Sequence, residues 1–139
     1  MDLNPFRPLL RTQADVERLC RRLMTPLGFA TYAVWLVFID DQRPRPQVIE
    51  FADMPPAPDP AVSEQLARAV GNLADDPHIS LAFLRSRPGR GTPTADDRAW
   101  AEALYDVGRR LGVPLQVVHL AHDADVVPLA VDDLIAAPA

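Results

Sequence analysis

The sequence predicts an α/β (α+β) domain, a single mixed and mainly antiparallel sheet with three helices packed against it. Three observations carry this. Apolar residues recur at helical spacing in three separated stretches, 16–27, 62–73 and 101–111, while β-branched and aromatic residues gather in runs between them. The first two of those runs are joined by a turn too short for a parallel crossover. The chain has 139 residues, 48% of them hydrophobic, which suffices for one core and not for two.

Residues 1–11 are interrupted by prolines and read as an N-terminal arm; residues 12–135 form the domain and 136–139 a disordered tail. Thr12 opens the first helix with Asp15 in the capping-box position. Val16, Leu19, Cys20, Leu23, Met24 and Leu27 form its apolar stripe, and Gly28 is the expected stop. Glu17, Arg18, Arg21 and Arg22 make the opposite, solvated face. The run 31–40 is apolar on both alternate sets, the mark of a central strand covered on both sides. After a turn at 40–46, residues 47–51 return antiparallel to it, and the proline-rich segment 54–60 is a loop.

Asp59 and Pro60 place a cap and a first-turn proline at the head of the second helix, whose buried stripe is Val62, Leu66, Ala67, Val70 and Leu73. Residues 79–84 are a short strand. Thr94, with Asp97 at the capping-box position, starts the third helix, lined by Ala101, Leu104, Tyr105, Gly108 and Leu111 and ended by Gly112. Residues 115–120 and 126–129 are the last two strands, joined by a turn at 122–125.

Composition excludes several classes. The net charge of −5 gives no broad footprint for nucleic acid, so anion binding has to be local. One cysteine, Cys20, permits neither an internal disulfide nor a multi-thiolate metal site, and its place on an apolar stripe makes it a buried small hydrophobe. The first residues lack a signal peptide's apolar core and no apolar run is long enough to span a bilayer, so the expectation is a cytoplasmic protein with no membrane partner. His78, His119 and His122 do not stand in ligand spacing, and no Gly-x-Ser-x-Gly or P-loop pattern occurs.

The loop between the third strand and the third helix holds two glycines, two prolines and three arginines, and any site belongs there. Its residues Arg85-Ser86-Arg87-Pro88-Gly89, followed by Pro93-Thr94-Ala95-Asp96-Asp97, resemble the His-x-His-Pro…Pro-Ser-x-x-Asp signature of the JAB/MPN (JAMM) fold in its RadC-like form. Leu111-Gly112-Val113-Pro114-Leu115, Val118-His119-Leu120 and Val126-Val127-Pro128-Leu129 are similar to later segments of that family. The resemblance implies a JAB/MPN, cytidine-deaminase-like architecture. In the family the two histidines and the aspartate bind zinc, and a glutamate on the first strand is the general base.

Here arginines hold both histidine positions, and the position aligned with the glutamate falls at or near Tyr32. Arginine has no lone pair to offer a metal, so neither a metal, nor a cofactor, nor the family's catalytic residues are expected. Arg85, Arg87, Arg90, Thr94, Asp97 and His119 remain as candidate binding residues. One reading is a structural Arg–Asp pair in a non-catalytic domain that binds protein partners, a homodimer included. A second is an enzyme or ligand-binding protein that takes a phosphate or carboxylate on Arg85, Arg87 and Arg90. A third, a DNA-repair-associated accessory, rests on family analogy alone and is opposed by the net charge.

Overall fold

The computed structural model of the chain describes Leu3 and residues 7–136. Its elements are α1 (Gln13–Met24), β1 (Ala33–Asp40), β2 (Arg43–Phe51), α2 (Pro60–Leu73), β3 (Ser80–Ser86), α3 (Ala95–Leu111), β4 (Val118–Ala121), β5 (Val126–Leu129) and α4 (Val131–Ala136). The strands form one sheet in the order β2-β1-β3-β4-β5; only the β3–β4 pair is parallel, and α3 is the crossover that such a pair requires. This is the mixed, mainly antiparallel sheet expected from the sequence.

Alternation along the strands splits the core in two. Val34, Leu36 and Phe38 of β1 and Leu81 and Phe83 of β3 pack with Leu66 and Val70 of α2 and Trp100 and Leu104 of α3. Val37 and Ile39 of β1 and Ala82 and Leu84 of β3 pack instead with Val16, Leu19, Cys20 and Leu23 of α1. The sheet is thus a middle layer, and β1 is apolar on both alternate sets because each of its faces meets a helix. Among the described residues no helix is long and apolar enough to cross a membrane.

The helix starts follow local chemistry. Thr12 and Thr94 each complete a capping box, with Asp15 and Asp97, and the Asp59 carboxylate accepts the Val62 amide at 2.8 Å ahead of Pro60. The ends follow it less closely. Helix α1 stops at Met24, short of Leu27 and Gly28, because Pro26 holds Thr25 in an extended conformation. Strand β2 begins at Arg43, through Pro44 and Pro46, since a strand with only one sheet neighbour can turn its prolines outward. That leaves Asp41 and Gln42 as a two-residue hairpin turn, both with positive φ (50° and 63°).

Strand β3 runs past Leu84 to Ser86. Leu115 makes only an isolated bridge to Leu81, and β4 proper starts at Val118. Leu73, expected inside, is 43% exposed at the last position of α2. The short α4, packed against α3, adds a fourth helix where none was expected and includes Ala136 from the proposed tail; residues 137–139 lie outside the described residues. Of the arm, Leu3 and Leu10 are buried, and their amides donate to the carbonyls of Pro46 and Gln42 at 2.6 Å.

Candidate functional site

Arg85 and Arg87 are two apart, at the end of β3 and just beyond it, so the strand's alternation sends both toward the α2–α3 layer. There the N-terminus of α3 presents Asp97. Arg85 Nε donates to Asp97 Oδ1 at 2.9 Å, and Arg87 Nε donates to Oδ1 and Oδ2 at 2.9 and 3.0 Å. The Thr94 amide donates to Oδ2 at 2.8 Å, the reciprocal half of the capping box. Relative exposures are 1% for Arg85, 5% for Arg87 and 0% for Asp97, so this is a buried ion triad and not a surface pair.

The walls come from three further segments. The Arg85 guanidinium lies over the Tyr32 ring, 5.2 Å from its centre, and 5.9 Å from that of Trp100. The β2–α2 connector straps across the cluster: the Pro55 carbonyl accepts Trp100 Nε1 at 3.1 Å and the Pro56 carbonyl accepts Arg85 Nη2 at 3.0 Å. On the loop side Arg87 Nη1 donates to the Pro88 carbonyl at 3.1 Å. Asp123 pins this loop from the β4–β5 turn, its carboxylate accepting the Gly89 amide at 2.7 Å and the Phe29 amide at 2.9 Å, which hold its pKa down.

Burial pushes the Asp97 carboxyl up, but the hydrogen bonds from Arg87, the Thr94 amide and Arg85, with the charge of Arg87, outweigh it and hold the group at about 2. Asp97 is therefore ionised at neutral pH. The triad then carries two permanent positive charges against one negative. Arg85 Nη1 has no hydrogen-bond partner, nor does Arg87 Nη2, which lies 2.9 Å from Asp97 Oδ2 but out of hydrogen-bond direction.

Four of the six candidate residues converge here: Arg85, Arg87, Thr94 and Asp97. Arg90 does not join them; it is exposed in the loop, and its charge acts on Asp123. His119 lies on the other side of the sheet. It pairs in register with Leu84, whereas Arg85 pairs with Leu120, and directly paired residues share a face. On the α1 side His119 Nδ1 donates to the Val117 carbonyl at 2.9 Å, so Nε2 is the acceptor for Gln13 Nε2 at 3.2 Å. Burial keeps its pKa low, against the opposing effects of Val117 and Glu17. The roles of Pro55, Pro56 and Asp123 were not legible in the sequence, since two of them act through backbone carbonyls and the third is one aspartate among several in turns.

The donor set does not fit zinc. Two of the three positions are guanidiniums without lone pairs, and both oxygens of the third are taken. Among the described residues no group of three or more His, Cys, Asp or Glu is placed to hold a metal ion. No known protein family's sequence profile matches the chain, and no curated protein is significantly similar to it.

Proposed function

We propose that the chain is a metal-free domain of the JAB/RadC-like kind that acts without catalysis as a protein-binding or scaffolding module, with a homodimer as the simplest such assembly. The observation that carries this reading is the convergence of Arg85 and Arg87 on Asp97 at the head of α3. The three side chains that the resemblance aligns with zinc ligands meet in space, although 12 and 10 residues separate the arginines from Asp97. Tyr32, at or near the position aligned with the general base, stands against the same cluster. Two guanidiniums supply there the positive charge that a metal would bring, and a phenol replaces the carboxylate that a metal-bound water would need. The frame is kept while the chemistry has no donor, which favours a role in contacts with partners.

The decisive experiment restores the ligands. The purified parent should hold no stoichiometric zinc by elemental analysis and keep its melting temperature in a chelator, whereas Arg85→His/Arg87→His should gain one equivalent of zinc through the two imidazoles and Asp97. Stoichiometric zinc in the parent, lost together with stability on chelation, ends the metal-free reading. A double variant that folds yet binds no zinc ends the JAB-like reading of the frame. Sedimentation equilibrium tests the homodimer: a single-chain mass at high micromolar concentration leaves only other proteins as partners.

A further inference from the structure

We infer that the buried arginine pair binds, in addition to Asp97, one small monovalent oxyanion of carboxylate size, held between Arg85 Nη1 and Arg87 Nη2 beneath the strap at residues 53–59. This rests on the metal-free reading of the same cluster and names its ligand.

Charge is the first ground. Two guanidiniums share one carboxylate at 5% exposure or less, which leaves one unit of positive charge in the interior. An uncompensated buried charge is among the costliest arrangements in a folded chain. The faces of Tyr32 and Trp100 attract the Arg85 cation but have no lone pair directed at an N–H.

Hydrogen bonding is the second, independent ground. Arg85 satisfies Nε on Asp97 and Nη2 on the Pro56 carbonyl, and Arg87 satisfies Nε on Asp97 and Nη1 on the Pro88 carbonyl. The nitrogens left over differ: Arg85 Nη1 is buried without an acceptor, and Arg87 Nη2 is buried 2.9 Å from Asp97 Oδ2, in an ion pair but not an aligned hydrogen bond. A water molecule satisfies donors and leaves the charge; a monovalent oxyanion satisfies both. Its two oxygens suit two guanidinium nitrogens, the geometry for which arginine is the preferred residue. A bulkier dianion fits less well, because the orphan nitrogens have almost no solvent exposure and the cluster needs one negative charge.

The strap accounts for access. The Met54 amide ties it to the Tyr32 carbonyl at 2.9 Å; beyond that its hydrogen bonds to the cluster run through the carbonyls of Pro55 and Pro56, and its three prolines, residues 55, 56 and 58, have no N–H with which to anchor it more firmly.

The test is thermal unfolding of the intact chain at constant ionic strength while chloride is exchanged for formate, acetate or inorganic phosphate. Formate and acetate should raise the midpoint saturably at millimolar concentration, by roughly 4–6 °C at tenfold over the dissociation constant. Arg87→Gln should remove the rise. In case that variant does not fold, the parent alone should broaden the resonance of carbon-13 formate, and crystals grown in formate should place its oxygens within hydrogen-bond distance of Arg85 Nη1 and Arg87 Nη2. Equal midpoints in all four anions, a larger response to phosphate than to formate, or a lone water between the two nitrogens overturns the inference. Zinc measured on the same preparation separates the two readings: no zinc with no formate response refutes only the anion, whereas stoichiometric zinc refutes the metal-free domain.

Discussion

Replacing Asp97 by asparagine keeps the size of the side chain and an oxygen that accepts the Thr94 amide, and removes one charge. Arg85 and Arg87 are then left, at 1% and 5% exposure, with two positive charges and no counter-ion from the protein. Breaking a buried pair by deleting one partner costs about 3–5 kcal/mol, whereas an exposed pair would cost at most about 1 kcal/mol. A small domain has about 5–15 kcal/mol in total, so Asp97→Asn should lose about a fifth or more of the stability. Asp97→Ala should lose about 1 kcal/mol more, because it also deletes the reciprocal cap. Urea unfolding followed by circular dichroism reads both as shifts of midpoint at constant slope. In a buffer free of carboxylate anions, an Asp97→Asn protein within about 1 kcal/mol of the parent would mean that the arginines reach water, and would refute the argument from burial.

Acid should act on the same carboxylate. Its pKa is depressed from 3.8 to about 2 in the folded chain, so its contribution is complete above pH 4 and disappears as pH falls through 2. The amount is on the order of 2 kcal/mol, less than the mutation costs because the asparagine NH2 turns two donors toward the guanidiniums where a protonated carboxyl has one hydrogen to place; equilibrium unfolding across that range should show a loss that Asp97→Asn lacks. Leu23→Ala, in the layer beneath α1, should cost about 2–5 kcal/mol in urea, and an unchanged midpoint would place that helix face wrongly. The Cys20 thiol, pushed up to about 12 by burial and the charge of Glu17, should resist a thiol reagent at pH 8 until urea is added; labelling at the rate of a free thiol would contradict its burial.

Much of this architecture is written in short-range patterns. Thr12, Asp59 and Thr94 announce their helices because a cap is decided within four residues, and the apolar run of β1 announces burial on both faces by itself. The misses share a different cause, dependence on distant partners. An arginine after an apolar run reads as the end of a strand, yet Arg85 extends β3 because its counter-charge arrives 12 residues later on another element. Nothing in the sequence separates His119 from the arginine candidates, because its face is decided by register: once it pairs with Leu84, it must look toward α1. Pro44 and Pro46 argue for a turn until the sheet order shows that one side of β2 is unpaired. The site was readable as three residues of matching chemistry; the strap above them was not, because proline carbonyls have no sequence signature as acceptors.

Those prolines have a consequence for assembly. In the described sheet, β2 and β5 are the two outer strands, and each carries proline: Pro44 and Pro46 in one, Pro128 in the other. A proline in a paired strand turns its nitrogen to the free side and deletes a donor there, and the arm already occupies the Pro46 carbonyl through the Leu3 amide. Arg43 and Arg45 add like charge along the first border. Neither border offers the unbroken ladder on which another chain could dock as an additional strand, so fibril-like stacking of this sheet is blocked at both ends. The surfaces left for any contact with another chain are its helices and loops, where side chains rather than backbone determine what fits.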